Sequence, residues 1–284
     1  MKKLAERLIV FFIGLPVLLA LVFFFPQYHH LLLNVVITVL CVLGALEFSN
    51  ILGRKNLVVS VPETVILGAV TPAAWTVMVS FGIQGHIVRT GVFILGASWL
   101  LVSRIFTTQE KLESYINRTA AGFAVMVYPG LFLVWVIQMS AFPQASMVIL
   151  VYLLITLLND SAAWAAGVLF GKNNRGYIAA SPNKSIAGFI GGLAASMIIG
   201  ILAAVLIPAA FTSTLLPSIP AGAILGLVVG IAAILGDLGE SALKRSAGVK
   251  DSGTLILGRG GVLDSLDSPA LAAPVFYIVY RILF

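Results

Sequence analysis

Apolar runs of membrane-spanning length follow one another along almost the whole chain, and this repetition narrows the fold more than any other feature. A hydrocarbon core about 30 Å thick is crossed by roughly 20 apolar residues in helical conformation. Nine candidate segments meet that need, near residues 8–25, 31–52, 57–80, 87–103, 119–140, 145–169, 184–208, 219–243 and 268–283, the fourth and ninth being the shortest. The runs are continuous rather than alternating, so each must satisfy its own backbone within a helix and not in a sheet. A water-soluble domain is excluded on composition: 60% of the residues are hydrophobic, only 10% are charged, and mean hydropathy is +1.08. The expected fold is an all-α integral membrane protein with about nine transmembrane helices.

The first run follows Lys2, Lys3 and Arg7 in the manner of a secretory signal, but it is long and no small-x-small cleavage pattern comes after it. An uncleaved first span is expected. With a cytoplasmic N-terminus the loops alternate sides, and Lys2, Lys3, Arg7, Arg54, Lys55, Arg104, Lys111, Arg118, Lys172, Arg175, Lys184, Lys244, Arg245, Lys250 and Arg259 all fall inside. Only Arg89 and Arg281 fall outside, so 15 inside and 2 outside account for the 17 basic residues, a strong positive-inside bias. Topology and anionic headgroups therefore explain the net charge of +6 without nucleic acid as a partner. Cys41 is the only cysteine, which excludes a disulfide framework and leaves a lipid-facing or packed thiol.

Carboxylates are costly inside a bilayer and mark functional candidates. Glu47, Asp160, Asp237 and Glu240 lie within or at the edge of apolar spans, each in the cytoplasmic half of its helix in this orientation, which suggests one cytoplasm-facing cavity. For Glu47 simple pairing with Arg54 or Lys55 is an equal alternative, whereas Glu6, Glu63, Glu110 and Glu113 read as interfacial charges.

The densest segment is 236–267, GDLGESALKRSAGVKDSGTLILGRGGVLDSLD, with Asp237, Glu240, Asp251, Asp264 and Asp267, five of the chain's 11 acids. On a continuous helix Asp237, Glu240, Ser241 and Lys244 share one face, and Asp264 and Asp267 are three apart. Acids that share a site repel unless a cation joins them, and oxygen-only ligands favour Mg2+ or a similar hard ion. Gly258, Arg259, Gly260 and Gly261 lie between the acid groups, where glycines allow backbone amides to approach a phosphate. The run lacks a P-loop ending and by itself is more often a plain turn, but Lys244, Arg245, Lys250 and Arg259 crowd the same stretch. A second phosphate candidate is Ser181-Pro182-Asn183-Lys184-Ser185, with Ser181 as N-cap and Pro182 as the first helical residue, leaving the helix amides free for an anion. Gly188/Gly192 and Gly222/Gly226/Gly230 read as packing faces that bring the seventh and eighth spans together. His29, His30 and His86 read as incidental surface histidines on the outer side.

SALKRSAGVKDSG with GRGGVLDSLD resembles the C-terminal signature of the phosphatidate cytidylyltransferases, and NDSAAWAAGVLFGK with SPNKSIAGFIGG is similar to that family's preceding block. Together they cover 159–267 in matching order, while the N-terminal half agrees in hydropathy and in Glu47. The resemblance implies a membrane enzyme making CDP-diacylglycerol and pyrophosphate from CTP and phosphatidic acid. It implies a divalent cation at Asp237, Asp264 and Asp267, which with the oxygen-only ligands is expected to be Mg2+, a second ion being allowed. Asp160 joins them as a metal candidate from its depth in the sixth span. Asp237, Asp264, Asp267, Lys250 and Asp251 would be catalytic. Ser181, Lys184, Ser185, Lys244, Arg245, Gly258, Arg259, Gly260 and Gly261 would handle phosphates.

Membrane lipids are expected partners and a homodimer is allowed. The expected division is 1–145 as an N-terminal transmembrane region and 146–284 as the catalytic one, in the inner membrane with the site facing the cytoplasm. The chain departs from the family pattern at Asn183 and Ala187, where Lys and Glu are usual, at Ser185 for Thr, at Leu257 and Arg259 for Pro and His, and at Ser265 for Arg. Rival readings are a CTP-dependent lipid kinase, a cytidylyltransferase for another lipid phosphate, and a transporter of ions or lipid phosphates. No internal repeat supports the transporter, and the Asp-Gly-x-x-Ala-Arg motif of CDP-alcohol phosphotransferases is missing.

Overall fold

The computed structural model describes residues 9–83, 85–103, 105–106, 108–213 and 215–284. Lys2, Lys3, Glu6, Arg7 and Arg104 of the sequence reading lie outside the described residues, and of His86, Glu110 and Lys111 only the backbone is described. The chain is an all-α multi-pass membrane protein. Its principal helices are α1 (Leu15–Phe24), α2 (Gln27–Gly53), α3 (Val61–Ser80), α4 (His86–Val102), α5 (Tyr115–Leu131, continued by Val134–Met139), α6 (Ala145–Phe170), α7 (Ile186–Leu206), α8 (Ser218–Ser246) and α9 (Leu263–Leu283). Each coincides with one of the nine apolar runs. Seven of them, α2, α3, α5 with its continuation and α6 to α9, are long and apolar enough to cross a membrane; α1 and α4 are shorter. Among the described residues no strand forms.

Packing divides the chain into two compact units. One comprises 1–138 and 246–265, so the glycine-rich stretch before α9 packs with the N-terminal helices. Its core gathers Ala45, Phe48 and Ile51 of α2 with Leu67 of α3, Leu100 of α4 and Ala121, Val125 and Met126 of α5. Gly68 lets α3 approach α2 so closely that a Cβ there would collide with Ala45. Cys41 is fully buried beside this contact, which settles the thiol as packed. Interhelical hydrogen bonds add to the seam, from Thr38 to Thr76 at 3.0 Å and from Asn34 to Ser80 at 3.4 Å.

The start of α2 corrects the histidine reading. His30 is buried, its Nε2 3.1 Å from the Val22 carbonyl, while His29 is exposed. Tyr28, His29 and His30 take φ of 50°, 52° and 60°, in the left-handed region, where each L residue costs about 1–2 kcal/mol. Asn34 holds this turn by donating to the His29 carbonyl at 2.9 Å.

The other unit comprises 139–245 and 266–284. In it α7 lies against both α6 and α8 through small residues. Gly188 and Gly192 face Ala163 and Asn159 of α6, whereas Gly200 meets the Gly222 backbone and Gly226 meets the Ser196 backbone. The first glycine pair thus serves the sixth span, not the eighth as expected from sequence, and only the second set joins α7 to α8. Asn159 is fully buried at the junction and donates to Ser196 of α7 at 2.9 Å and to the Gly230 carbonyl of α8 at 3.4 Å. Tyr152 of α6 donates to the Pro269 carbonyl of α9 at 2.7 Å, and α9 runs on through Pro274 without interruption.

Candidate functional site

Two clusters of polar side chains stand out, one in each unit. In the second unit, α6, α7 and α8 surround a cavity of about 460 Å³. Its polar walls are Asn159 and Asp160 of α6, Arg175, Asn183, Lys184 and Ser185 of the connection to α7, and Asp237 of α8; Trp164, Val168, Phe189 and Ile234 supply apolar surface. Lys184 forms an ion pair with Asp237. Arg175 is steadied by donating to the Gly167 carbonyl at 2.7 Å, and Ser268 of α9 donates to Asp160 at 3.1 Å. Asp160, Asp237 and Glu240 all lie close enough to Asp267 to act on it electrostatically. Glu240 is 1% exposed and pairs with Lys244 one helical turn along α8.

Asp237, Glu240, Ser241 and Lys244 do share one face, with Ser241 3.5 Å from Asp237. Lys244 points into the protein toward Glu240, while Arg245 is exposed. Four acids, Asp160, Asp237, Glu240 and Asp267, stand against three cations, Arg175, Lys184 and Lys244, and oxygen donors of this kind suit a hard divalent cation. Among the described residues no three Asp, Glu, His or Cys side chains close on a single point, and Lys184 and Lys244 are engaged with two of the acids.

The connection between α6 and α7 differs from its sequence reading. Ser181 and Pro182 belong to a turn, and the N-cap is Ser185, extended at φ −121°, ψ 153°, with its hydroxyl accepting from the Gly188 amide at 3.0 Å. The Ile186 amide donates to the Asn174 carbonyl at 3.0 Å and the Ala187 amide to the Asn174 side chain at 3.4 Å. Free amides for an anion were expected here, but the loop itself consumes them. What the loop offers the cavity is the side chains of Lys184 and Arg175. Arg175, Asn174 and Trp164 carried no signal in the sequence beyond general loop charge or apolar character.

In the first unit the acids Glu47 and Asp264 shape the segment before α9. Glu47, 5% exposed, accepts from the Val262 amide, the Leu263 amide and the Ser252 hydroxyl, each at 2.9 Å. A carboxylate is tolerated at this depth because it meets the first amides of α9, which are otherwise unpaired and carry the positive end of the helix dipole. Asp264 Oδ2 accepts from the Gly261 amide at 2.7 Å, the Ser252 amide at 2.9 Å and the Ser252 hydroxyl at 3.0 Å. Of the two alternatives for Glu47, simple pairing with Arg54 or Lys55 gives way to these bonds. The glycine run is a tight turn: the Ile256 amide donates to the Gly260 carbonyl at 2.8 Å, and the Arg259 and Gly260 amides donate back to the Ile256 carbonyl. Gly258 and Gly260 have φ of 70° and 111°, where a side chain would be strained. The expected cradle of amides is thus occupied by the turn itself, and Lys250, Asp251 and Arg259 are exposed on it.

Comparison with known proteins agrees with this pattern. A sequence profile described as the cytidylyltransferase family matches residues 5–283. A phosphatidate cytidylyltransferase of Thermotoga maritima is 34% identical over 68% of this chain and 68% of its own length. One from Synechocystis is 40% identical over 46% of this chain and 45% of its own length, and one from Staphylococcus saprophyticus is 36% identical over 46% and 48%. The matched stretch thus spans about half the length of the Synechocystis and Staphylococcus relatives. With the profile covering nearly every residue, the chain belongs to the cytidylyltransferase family.

Proposed function

We propose that the protein transfers the cytidylyl group of CTP to phosphatidic acid, giving CDP-diacylglycerol and pyrophosphate. The observation that carries this reading is the cavity between α6, α7 and α8, where two cations, Arg175 and Lys184, stand beside Asp160 and Asp237 at one end of membrane-length helices. A phosphate oxygen of phosphatidic acid forms a bond to the α-phosphorus of CTP, and the bond from that phosphorus to the bridging oxygen of pyrophosphate breaks. The nucleophile is already anionic at neutral pH, so little proton transfer is required. Catalysis comes from holding two mutually repelling polyanions in line and neutralising charge on the leaving oxygens.

Lys184 and Arg175 take the phosphate groups in this scheme, and the apolar wall of Trp164, Val168 and Phe189 faces the lipid. Asp160, Asp237 and Asp267, which do not close on one point as they stand, would hold Mg2+ together with phosphate oxygens of the substrate. The ion, when bound, supplies positive charge at the phosphoryl oxygens. On the family resemblance Lys250 and Asp251 are assigned to phosphate handling and Asp264 to the catalytic or metal-binding acids, while Arg259 is a phosphate candidate from the charge of its own loop. A cation held by Asp237 would compete with Lys184 for that carboxylate, which would leave the lysine to pair with substrate phosphate.

In our reading the N-terminus and the connection from α6 to α7 face the cytoplasm, where CTP is found, in the inner membrane of the cell. The positive-inside distribution supports this orientation. The test is pyrophosphate release by purified protein in detergent supplied with CTP, Mg2+ and phosphatidic acid. Release that depends on all three and is abolished in Asp237→Asn supports the reading. A blank with phosphatidic acid, or uptake of a labelled ion or lipid phosphate by proteoliposomes in its place, overturns it.

A further inference from the structure

We infer that Glu47 is a positioning residue for cytidylyl transfer: from α2 it fixes the shape of the loop between α8 and α9 that carries Lys250, Asp251 and Arg259. The inference rests on the proposed reaction and extends it to a residue in the N-terminal half of the chain, some 200 positions away in sequence from the groups it orders.

The loop from Ala247 to Val262 is anchored on the core of its unit at its two ends, by Ala247 and Val249 and by the buried Val262, and ordering each backbone residue between them costs about 1–2 kcal/mol. Its internal backbone bonds close the short turn from Ile256 to Gly260. A further restraint is two carboxylates converging on one serine. The Ser252 hydroxyl reaches Glu47 at 2.9 Å and Asp264 at 3.0 Å, and the Asp264 amide is 3.3 Å from the same oxygen. Asp264 restrains the loop from within its own local sequence. Glu47 ties it by directed hydrogen bonds to a different helix of the same unit.

Two glycines show how close this fit is. A Cβ at Gly253 would collide with Glu47 Oε1, and a Cβ at Gly261 would collide with Glu47 Oε2 and the Ser252 hydroxyl. Neither glycine has a positive φ, so backbone freedom does not explain them; space for the carboxylate does. An apolar side chain here would leave the Val262 and Leu263 amides and the Ser252 hydroxyl without this acceptor. A carboxylate with three donors sets direction as well as proximity.

Replacing Glu47 by Gln keeps size but turns an NH2 toward donors that need an acceptor. We expect Glu47→Gln to lower kcat about 10- to 100-fold, as misaligned supporting groups do, with KM for phosphatidic acid unchanged. Gly261→Ala should lower kcat similarly from the loop side, and the double variant should be no worse than the poorer single, because both disturb one device. Amide hydrogen exchange in the wild type and in Glu47→Gln reads the loop independently of turnover: Val262 and Leu263 should lose protection while the buried amides of α2 and α5 keep theirs. Should Glu47→Gln fail to accumulate, Ser252→Ala, which leaves Glu47 and both amide bonds in place, must still lower kcat. Unchanged kcat, penalties that multiply in the double variant, or undiminished protection of Val262 and Leu263 would overturn the inference. A wild-type protein inactive on CTP and phosphatidic acid would instead refute the proposed reaction, while the exchange comparison would still decide whether Glu47 anchors the loop.

Discussion

At the scale of single residues, the ion pair of Glu240 and Lys244 shows how a buried charge is kept. Removing one partner strands the other, at a cost of about 3–5 kcal/mol, whereas removing both can be nearly neutral. Lys244→Met should therefore lower the unfolding temperature in detergent markedly, and Glu240→Gln combined with Lys244→Met should regain most of the loss. Equal instability of the single and the double variant would show that the pair is not the cause. The departures at Asn183 and Ala187 obey similar logic. Asn183 lines the cavity and the Ala187 amide is engaged by Asn174. A lone glutamate at 187 adds an acid to a region already rich in them, so Ala187→Glu should reduce turnover and Asn183→Lys in the same chain should restore part of it. Strictly independent effects of the two changes would reject that coupling.

At the scale of helices and loops, α7 and α8 are held together by the absence of side chains. A Cβ on Gly226 would strike the Ser196 carbonyl and one on Gly200 the Gly222 carbonyl, both backbone atoms that cannot swing aside. Gly226→Val should cost at least the 1–3 kcal/mol typical of overpacking, seen as a lower midpoint of thermal unfolding in detergent; an unchanged midpoint would show that the helices can part freely. The nine helices were legible in the sequence because a long apolar run has few other solutions in lipid. The shared face of Asp237, Glu240 and Lys244 was legible for the same reason, since it follows from helical spacing alone. Other features depend on partners remote in the chain or on loop closure. The start of α7 at Ile186 is set by Asn174, which closes the connection by bonding both of the first two helix amides. The glycine turn spends its own amides, which the bare pattern Gly-Arg-Gly-Gly does not reveal. Glu47 finds its acceptor role only through residues more than 200 positions later.

For the whole molecule, the orientation drawn from basic residues requires α1 and α4 to cross despite their shorter length. If α4 did not cross, the α2 to α3 loop and the α6 to α7 connection would lie on opposite sides. Single cysteines in a Cys41→Ala background distinguish the cases. Lys55→Cys and Asn173→Cys should both resist a membrane-impermeant thiol reagent in intact cells, and Ser213→Cys, between α7 and α8, should react. Labelling of Lys55→Cys and Asn173→Cys on different sides would remove one span from the topology.

The bonds that Glu47 makes also impose an order of events during synthesis. Its helix is made before Ser252, Val262 and Leu263 are translated, so the nascent protein carries an acid whose eventual donors do not yet exist. A chain halted before α9 would keep Glu47 without these three donors, so the acid and the start of α9 become satisfied together.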